Sequence, residues 1–375
     1  MKLFIGLMSG TSLDGVDGVL AEFDARDSGP GTIQVLAHHH EGFGADLRDG
    51  LLQLNRPGPD ELHRAALAAN ALARVYADVV GQLLKSASIE ATQVCAIGAH
   101  GQTVRHRPQE FDRSGYTLQL LNGALLAELG GIDVVCDLRS RDVAAGGQGA
   151  PLVPAVHAAL FASPQADVAV LNLGGIGNLT LLPAVGTVRG FDCGPGNALL
   201  DHWCQRHMST DFDAEGRWAA SGRVHDDLLQ RMLAEPFLGR QPPKSTGREL
   251  FNAEWLDRAL ARVDRLVPPA DVQATLAEFT ARAATDALRT HAPATSRLLV
   301  CGGGAFNTHL MQRLAALMPG AAVQSTAACG VPPEQVEALA FAWLARAFVQ
   351  RQPGNLAAVT GARGPRVLGA LYPAG

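Results

Sequence analysis

The sequence has no excess of basic charge, no long apolar run and no closely spaced cysteine pair, and each absence removes a class of function. Lys and Arg number 31 against 36 Asp and Glu, a formal charge of -5. Nothing is available to neutralise a nucleic-acid backbone or an anionic membrane surface. The longest apolar stretches stop short of a membrane-spanning length. Lys2 with Leu3 to Met8 is too short for a secretory leader and has no small-residue cleavage site after it, so the first strand is expected to open the chain. The six cysteines, Cys95, Cys136, Cys193, Cys204, Cys301 and Cys329, contain no C-x-x-C pair. They read as small hydrophobes in a reducing cytosol. His38-His39-His40, at a strand end and facing alternate sides, lacks a second ligand cluster and reads as solvated surface.

What is present is an apolar fraction of 47% over 375 residues, enough for two or three cores or for two lobes with an insertion. Phe4 to Met8 forms an apolar run, Ser9-Gly10-Thr11-Ser12-Leu13-Asp14-Gly15 a small polar turn, and Val16 to Leu20 a second run. That layout predicts a hairpin. Its backbone N–H groups and hydroxyls suit phosphate oxygens, and Asp14 suits a magnesium ion beside them. It is not a Walker A loop, because no Gly-Lys-Ser/Thr follows. A single glycine turn between strands carries little weight, but this one returns. Val168 to Leu173, Gly174-Gly175-Ile176-Gly177-Asn178, Leu179 to Leu182 and a third strand ending at Asp192 repeat the opening layout. Two such units facing each other would set two glycine turns on either side of one cleft. A third turn, Cys301-Gly302-Gly303-Gly304-Ala305-Phe306-Asn307, joins a strand to a helix, as at nucleotide sites and in plain βα packing alike.

Elsewhere strands alternate with helices, which indicates an α/β fold with ligands beyond the strand ends. A helix is predicted between Pro59 and Ser86, and the strand Val94 to Gly98 delivers His100-Gly101-Gln102-Thr103. Arg139 to Leu152 forms a polar, glycine-rich loop after another strand. Helical segments at 197–207, 224–233 and 252–263 read as an insertion, and Asp271 is expected to cap a long alanine-rich helix. A last helix, 334–348, carries Glu337 in an apolar run.

The repeated strand–turn–strand units resemble the sugar kinase, actin and heat-shock ATPase superfamily. Within it, Ser9 to Asp17, Gly101-Gln102-Thr103, Gly146 to Pro154, Gly190 to Asn197, Pro242 to Glu249, Cys301 to Asn307 and Val359-Thr360-Gly361-Ala362 are similar to the signatures of the anhydro-N-acetylmuramic acid kinases. The resemblance runs in order along the whole chain. Two departures are Leu121-Asn122-Gly123, where a glycine followed by Asp or Asn is expected, and Cys193, where threonine is usual.

The resemblance implies a two-lobed actin-like ATPase fold with duplicated ribonuclease H-like domains and a nucleotide cleft. Residues 1–160 would form the lobe with the first phosphate loop and the sugar loops. Residues 161–375 would carry the second phosphate loop, the insertion (about 197–265) and the adenosine loop. The implied activity is ATP-dependent phosphorylation of O6 of 1,6-anhydro-N-acetylmuramic acid, with water opening the anhydro ring. The product, N-acetylmuramic acid 6-phosphate, would feed cytoplasmic recycling of cell wall by a homodimer that binds no nucleic acid or membrane.

Hydrolytic opening of a sugar ordinarily takes two carboxyl groups. Here the leaving O6 can be captured by the γ-phosphoryl group, so one base suffices. Asp192 is the candidate; it also fits as a cap for the helix that starts at Asn197. Phosphoryl transfer otherwise needs positioning and charge neutralisation. Gly10, Thr11, Ser12, Leu13, Asp14, Gly15, Val16 and Asp17 would take the β- and γ-phosphates of ATP. Gly174, Gly175 and Asn178 would take their opposite side, and Gly302, Gly303, Gly304 and Asn307 the adenosine end. Asp14 and Glu337 would hold Mg2+ through water, although a backbone-bonded acid explains Glu337 equally well. Gln102, Arg139, Asp142 and Gln148 would read the lactyl and N-acetyl groups; Arg139 fits equally as an ion-pair partner of Asp137 or Asp142. The alternatives are a kinase acting on a free hydroxyl and a non-enzymatic nucleotide-dependent binding protein. A repressor of the latter kind would need a helix-turn-helix before the first strand.

Overall fold

A computed structural model describes residues 2–10, 12–24, 33–247, 250–263 and 266–375. The chain divides into two compact units, Met1–Leu160 with Gln335–Gly375, and Phe161–Glu334.

In the first unit, β1 (Lys2–Met8), β2 (Gly15–Phe23) and β3 (Ile33–Gly42) form an antiparallel meander. β4 (Val94–Ala99) joins β1 in parallel, and a separate hairpin follows of β5 (Gln102–Pro108) and β6 (Gly115–Leu120). β7 (Val134–Cys136) lies parallel to β4, and the closing strand Ala370–Tyr372 covers its outer edge. In the second unit, β8 (Val168–Leu173), β9 (Ile176–Leu182) and β10 (Arg189–Pro195) form a second meander. β11 (Arg297–Cys301) joins β8 in parallel and β12 (Ala322–Ser325) joins β11. The order β7-β4-β1-β2-β3 is thus repeated as β12-β11-β8-β9-β10, with the same strand senses. The sequence repeat is a repeat of a ribonuclease H-like fold, α/β in class. The helical insertion falls between the third and fourth strands of the second copy, where the first copy carries the helix Glu61–Ala87.

The central strands of the first sheet are buried because helices cover both of its faces. The Glu61–Ala87 helix packs Leu72, Tyr76, Val79 and Leu83 against Ile5, Leu7, Leu20 and Ile97. The opposite face takes the helix Val336–Val349, which lies directly on backbone. A Cβ at Gly6 would run into the Ala338 carbonyl, and one at Gly98 into the Phe341 carbonyl. This contact corrects the expected division: residues 335–375 belong to the first unit, because their apolar helix covers the first sheet.

In the second unit the helix Pro269–His291 is the spine. Ala281, Ala284 and Leu288 pack on the sheet beside Leu171, Leu181 and Phe191. Val272, Leu276 and Phe279 face the insertion beside Trp203, Phe251 and Trp255. Small residues permit close approach on the sheet side, while aromatic bulk fills the other. Asp271 lies in the helix's first turn and not at its cap, which is Pro268; its carboxylate accepts the Arg223 N–H at 2.8 Å.

One further expectation changes. β3 runs through Gly42, so His38 and His40 lie inside a strand and face Asp17, at 3.5 and 3.0 Å. All six cysteines are free thiols.

Candidate active site

The first glycine turn is held open by groups outside it. The turn closes with the Leu13 N–H on the Gly10 carbonyl, Leu13 adopting φ +59 with its side chain buried. Ser9 is buried and donates to the Gly101 carbonyl at 3.1 Å, with the Tyr76 hydroxyl 2.9 Å away. Gln102 donates from Nε2 to the Gly10 carbonyl at 3.0 Å, while its buried Oε1 has no partner among the described residues. Ser12 and the Gly15 N–H both donate to Asp14 Oδ1, at 2.8 and 3.0 Å, and Asp14 itself is exposed. Thr11, expected here as a phosphate ligand, lies outside the described residues. Val16 is buried in the core, so it offers a ligand only its backbone. Asp17, also expected at the phosphates, directs its carboxylate to His38 and His40. Burial works to raise its pKa, but those two histidines prevail and hold it below the ordinary carboxylate value.

Beside the turn, Arg139 lies half-buried with Nε and Nη2 each 3.0 Å from His100 Nε2. Arginine only donates, so His100 accepts at Nε2 and its Nδ1–H donates to the Ser9 carbonyl at 3.2 Å. Burial, then the charge of Arg139, drives the His100 pKa down to about 3. The imidazole is a neutral strut between the first glycine turn and a guanidinium. Arg139 also donates from Nη1 to the Gly149 carbonyl at 2.8 Å. Burial brings its pKa down to about 10, with Glu337 and Asp142 pulling against that, so it remains a cation. The half-buried Glu337 is therefore a charge partner of Arg139.

Asp142, expected to read the sugar, is fully buried. Its Oδ1 accepts from Asn355 at 2.6 Å and Thr360 at 2.8 Å, and its Oδ2 from the Gly149 N–H at 2.8 Å. It ties the 146–149 loop to the C-terminal segment. Gln148, in that same loop, has its N–H on the Thr360 carbonyl and its side chain exposed.

In the second unit, register pairing of Leu173 with Gly177 leaves Gly174 and Gly175 within a tight β8–β9 turn. Their carbonyls accept from the N–H groups of Gly196, Asn197 and Ala198. Asn197 Nδ2 adds a bond to the Leu173 carbonyl at 2.9 Å. Gly304 packs against Leu173 and Asn197, where a Cβ would meet the Leu173 side chain at 2.5 Å. The second and third glycine turns are thereby brought side by side. Asn307 is not presented to a ligand through its side-chain oxygen, which caps the helix Thr308–Leu317 at the Leu310 N–H.

Asp192 lies on β10 at a bulge, opposite Asn178 of β9. The expected capping role does not hold: the helix Ala198–Met208 begins at Asn197, and Asp192 Oδ2 accepts the Thr246 N–H at 2.9 Å. Its own N–H donates to the Lys244 carbonyl at 3.1 Å. A half-buried carboxylate held in one orientation beside a phosphate-sized turn is equipped to take a proton.

A model of the family described as anhydro-N-acetylmuramic acid kinase matches residues 2–374. This chain belongs to the anhydro-N-acetylmuramic acid kinase family. Proteins of that name from Variovorax paradoxus strain S110 and Bordetella petrii are 62% and 61% identical to it, each over 100% of the chain and 99% and 97% of the relative. A distant likeness among solved structures is the activator of 2-hydroxyisocaproyl-CoA dehydratase from Clostridium difficile with bound ADPNP. It has a TM-score of 0.45 at 11% identity, covering 93% of this chain and 96% of that one. As an anhydro-N-acetylmuramic acid kinase the chain is a phosphotransferase.

The two departures from the kinase signatures have local explanations. Cys193 donates from Sγ to the Gly177 carbonyl at 3.2 Å, as a threonine hydroxyl would, and burial pushes its thiol up to about 12. Asn122 caps the helix Gly123–Gly130 at the Leu125 N–H. His100, Lys244 and Thr246 carry no role in the sequence reading, although Lys244 and Thr246 lie within the 242–249 signature; the structure ties His100 to Arg139 and the other two to Asp192. Arg248 and Glu249 of the 242–249 signature lie outside the described residues.

Proposed function

We propose that this kinase transfers the γ-phosphoryl group of ATP to O6 of 1,6-anhydro-N-acetylmuramic acid while water opens the anhydro bridge. Asp192 takes a proton from water, the water oxygen bonds to C1, and the C1–O6 bond breaks. O6 takes the phosphoryl group and ADP departs. The products are N-acetylmuramic acid 6-phosphate and ADP. The observation that carries this reading is Asp192, held by Thr246 one strand from the Gly174–Gly175 turn. A second carboxyl group is not needed, because the leaving oxygen is phosphorylated and not protonated.

Gly10, Ser12, Leu13, Asp14, Gly15, Gly174, Gly175, Gly302, Gly303 and Gly304 bind the nucleotide in this reading, largely through backbone N–H groups. Gln102, Arg139 and Gln148 read the sugar: a buried amide oxygen without a described partner, a cation oriented by His100 and the Gly149 carbonyl, and an exposed amide. Mg2+ would be held by Asp14 and Glu337 through water, and would neutralise charge on the phosphates. The donor set suits that ion. Among the described residues no cluster of three His, Cys, Asp or Glu side chains could hold a metal. An exposed carboxylate such as Asp14 is what a hydrated ion with phosphate ligands uses. The enzyme would act as a cytoplasmic homodimer in cell-wall recycling, a setting compatible with its formal charge of -5 and with the lack of any helix, among the described residues, able to cross a membrane.

Asp192→Asn tests the reading. Turnover should fall about 10³-fold or more while ATP still binds, and near-normal turnover would remove Asp192 as the base. In heavy-oxygen water the wild-type product should carry label at C1; label in phosphate instead would mean that ATP is being hydrolysed separately.

A further inference from the structure

We propose that Lys244 is a positioning residue for Asp192, acting through the 242–247 loop; this rests on the assignment of Asp192 as the base. Lys244 is only 9% exposed. Its ammonium donates to the backbone carbonyls of Leu238 at 2.8 Å and Phe237 at 3.3 Å. It also sits over two aromatic faces, 5.0 Å from the Phe237 centroid and 5.8 Å from that of Phe191. Burying a cation among neutral acceptors costs more than burying a methionine of similar length. An anchor needed only for folding would be apolar.

The position of the charge explains its use. Phe191, under the ammonium, immediately precedes Asp192. The Lys244 carbonyl accepts the Asp192 N–H at 3.1 Å, and two residues on, the Thr246 N–H donates to Asp192 Oδ2 at 2.9 Å. One short loop is thus pinned by the ammonium at one point and grips Asp192 at two others, its backbone N–H and its carboxylate. Pinning fixes the direction in which the Asp192 carboxylate is held. The groups also sense each other electrically: burial lowers the Lys244 pKa and Arg240 adds to that, while Cys193 and then Asp192 pull it upward, and His291 in turn feels the ammonium. A nearby cation in turn favours the ionised carboxylate.

The test is Lys244→Met in the full-length enzyme, measured beside Lys244→Arg and Asp192→Asn. Lys244→Met should lower kcat about 10- to 100-fold, with KM for ATP unchanged. The acid limb of kcat/KM for the anhydro sugar should move to higher pH, because a carboxylate that has lost a neighbouring cation is protonated more readily. Lys244→Arg should recover most of the rate and return the acid limb. A purely structural lysine would lower the melting temperature and leave the acid limb of the folded enzyme in place. Should the methionine variant not fold, Lys244→Gln carries the same measurement, since its amide still donates while the charge is gone. If neither neutral variant folds, or if either keeps the wild-type acid limb and kcat within about twofold, the proposal falls. An inactive Asp192→Asn beside an unaffected Lys244→Met overturns only the lysine's role; an active Asp192→Asn overturns the base.

Discussion

Replacing Asp142 by alanine takes the acceptor away from three donors at once, the Gly149 N–H, the Thr360 hydroxyl and the Asn355 amide. Two of these have a fallback, since Thr360 also reaches the Leu356 carbonyl and Asn355 the Gly364 carbonyl, both at 3.4 Å. The Gly149 N–H is left facing the vacated space. A hydrogen bond to a charged acceptor contributes about 1.5–3 kcal/mol, and a stranded donor costs a similar amount. Allowing for the fallbacks, the loss is about 3–5 kcal/mol. That corresponds to a fall of about 10 °C in the melting of the first unit. Asp142→Asn keeps an oxygen toward Asn355 and Thr360 but turns an amide N–H₂ at Gly149, so the loss should be smaller, about 2 kcal/mol. Calorimetry gives the melting temperatures, and amide exchange at Gly149 should speed up in both variants. If both variants melt with the wild type while KM for the sugar rises about tenfold or more, Asp142 is a sugar ligand and the loop-tie reading is wrong.

His100 makes stability depend on acid. Its folded pKa of about 3 lies below the ordinary 6.5, so between these values the unfolded chain binds a proton that the folded one refuses. Its contribution is complete above pH 6.5 and is lost as pH falls toward 3; His157, also driven to about 3 by burial, acts in the same sense. His100→Gln, which retains an acceptor for Arg139 and a donor for Ser9, should flatten the decline of melting temperature between pH 6.5 and 4. An unchanged slope would refute the assignment. Gly98→Ala should destabilise the first unit by at least about 2 kcal/mol, because a methyl group there meets the Phe341 backbone. A variant that melts like the wild type would show that the Val336–Val349 helix is free to shift.

The duplicated layout is legible because it is local: an apolar run, a glycine turn and a returning run occupy adjacent residues in both copies, and the strand registers follow from them. The placement of the last helix is not local. Its apolar run declares that it covers a sheet but not which one. The clue lies elsewhere, in Gly6 and Gly98, single glycines inside otherwise apolar strands, which mark a close backbone approach. The β5–β6 hairpin is harder still. Its burial alternates only at Gln102 and Val104, and Thr117 is the buried position of β6, so no apolar stripe announces it.

The same division runs through the site. Residue types are readable, but whether a polar side chain faces a ligand or the interior depends on partners far along the chain. Asp142 and Gln148 sit in one loop and look equally suited to a sugar. One is tied to residues 213 and 218 positions away, and the other projects into solvent. Asp17 shows the rule from the opposite side: it belongs to the opening signature, yet its carboxylate is engaged by histidines of the neighbouring strand. A signature therefore marks a loop's shape as well as its contacts, and an acid within it counts as a ligand only where no other group has taken its oxygens. By that criterion Asp14, exposed and with Ser12 and the Gly15 N–H both on Oδ1, qualifies, while Asp142 does not. For Asp192, proposed as the base, the Thr246 N–H on Oδ2 sets the direction of the carboxylate, and a proton acceptor works best when its orientation is fixed in advance.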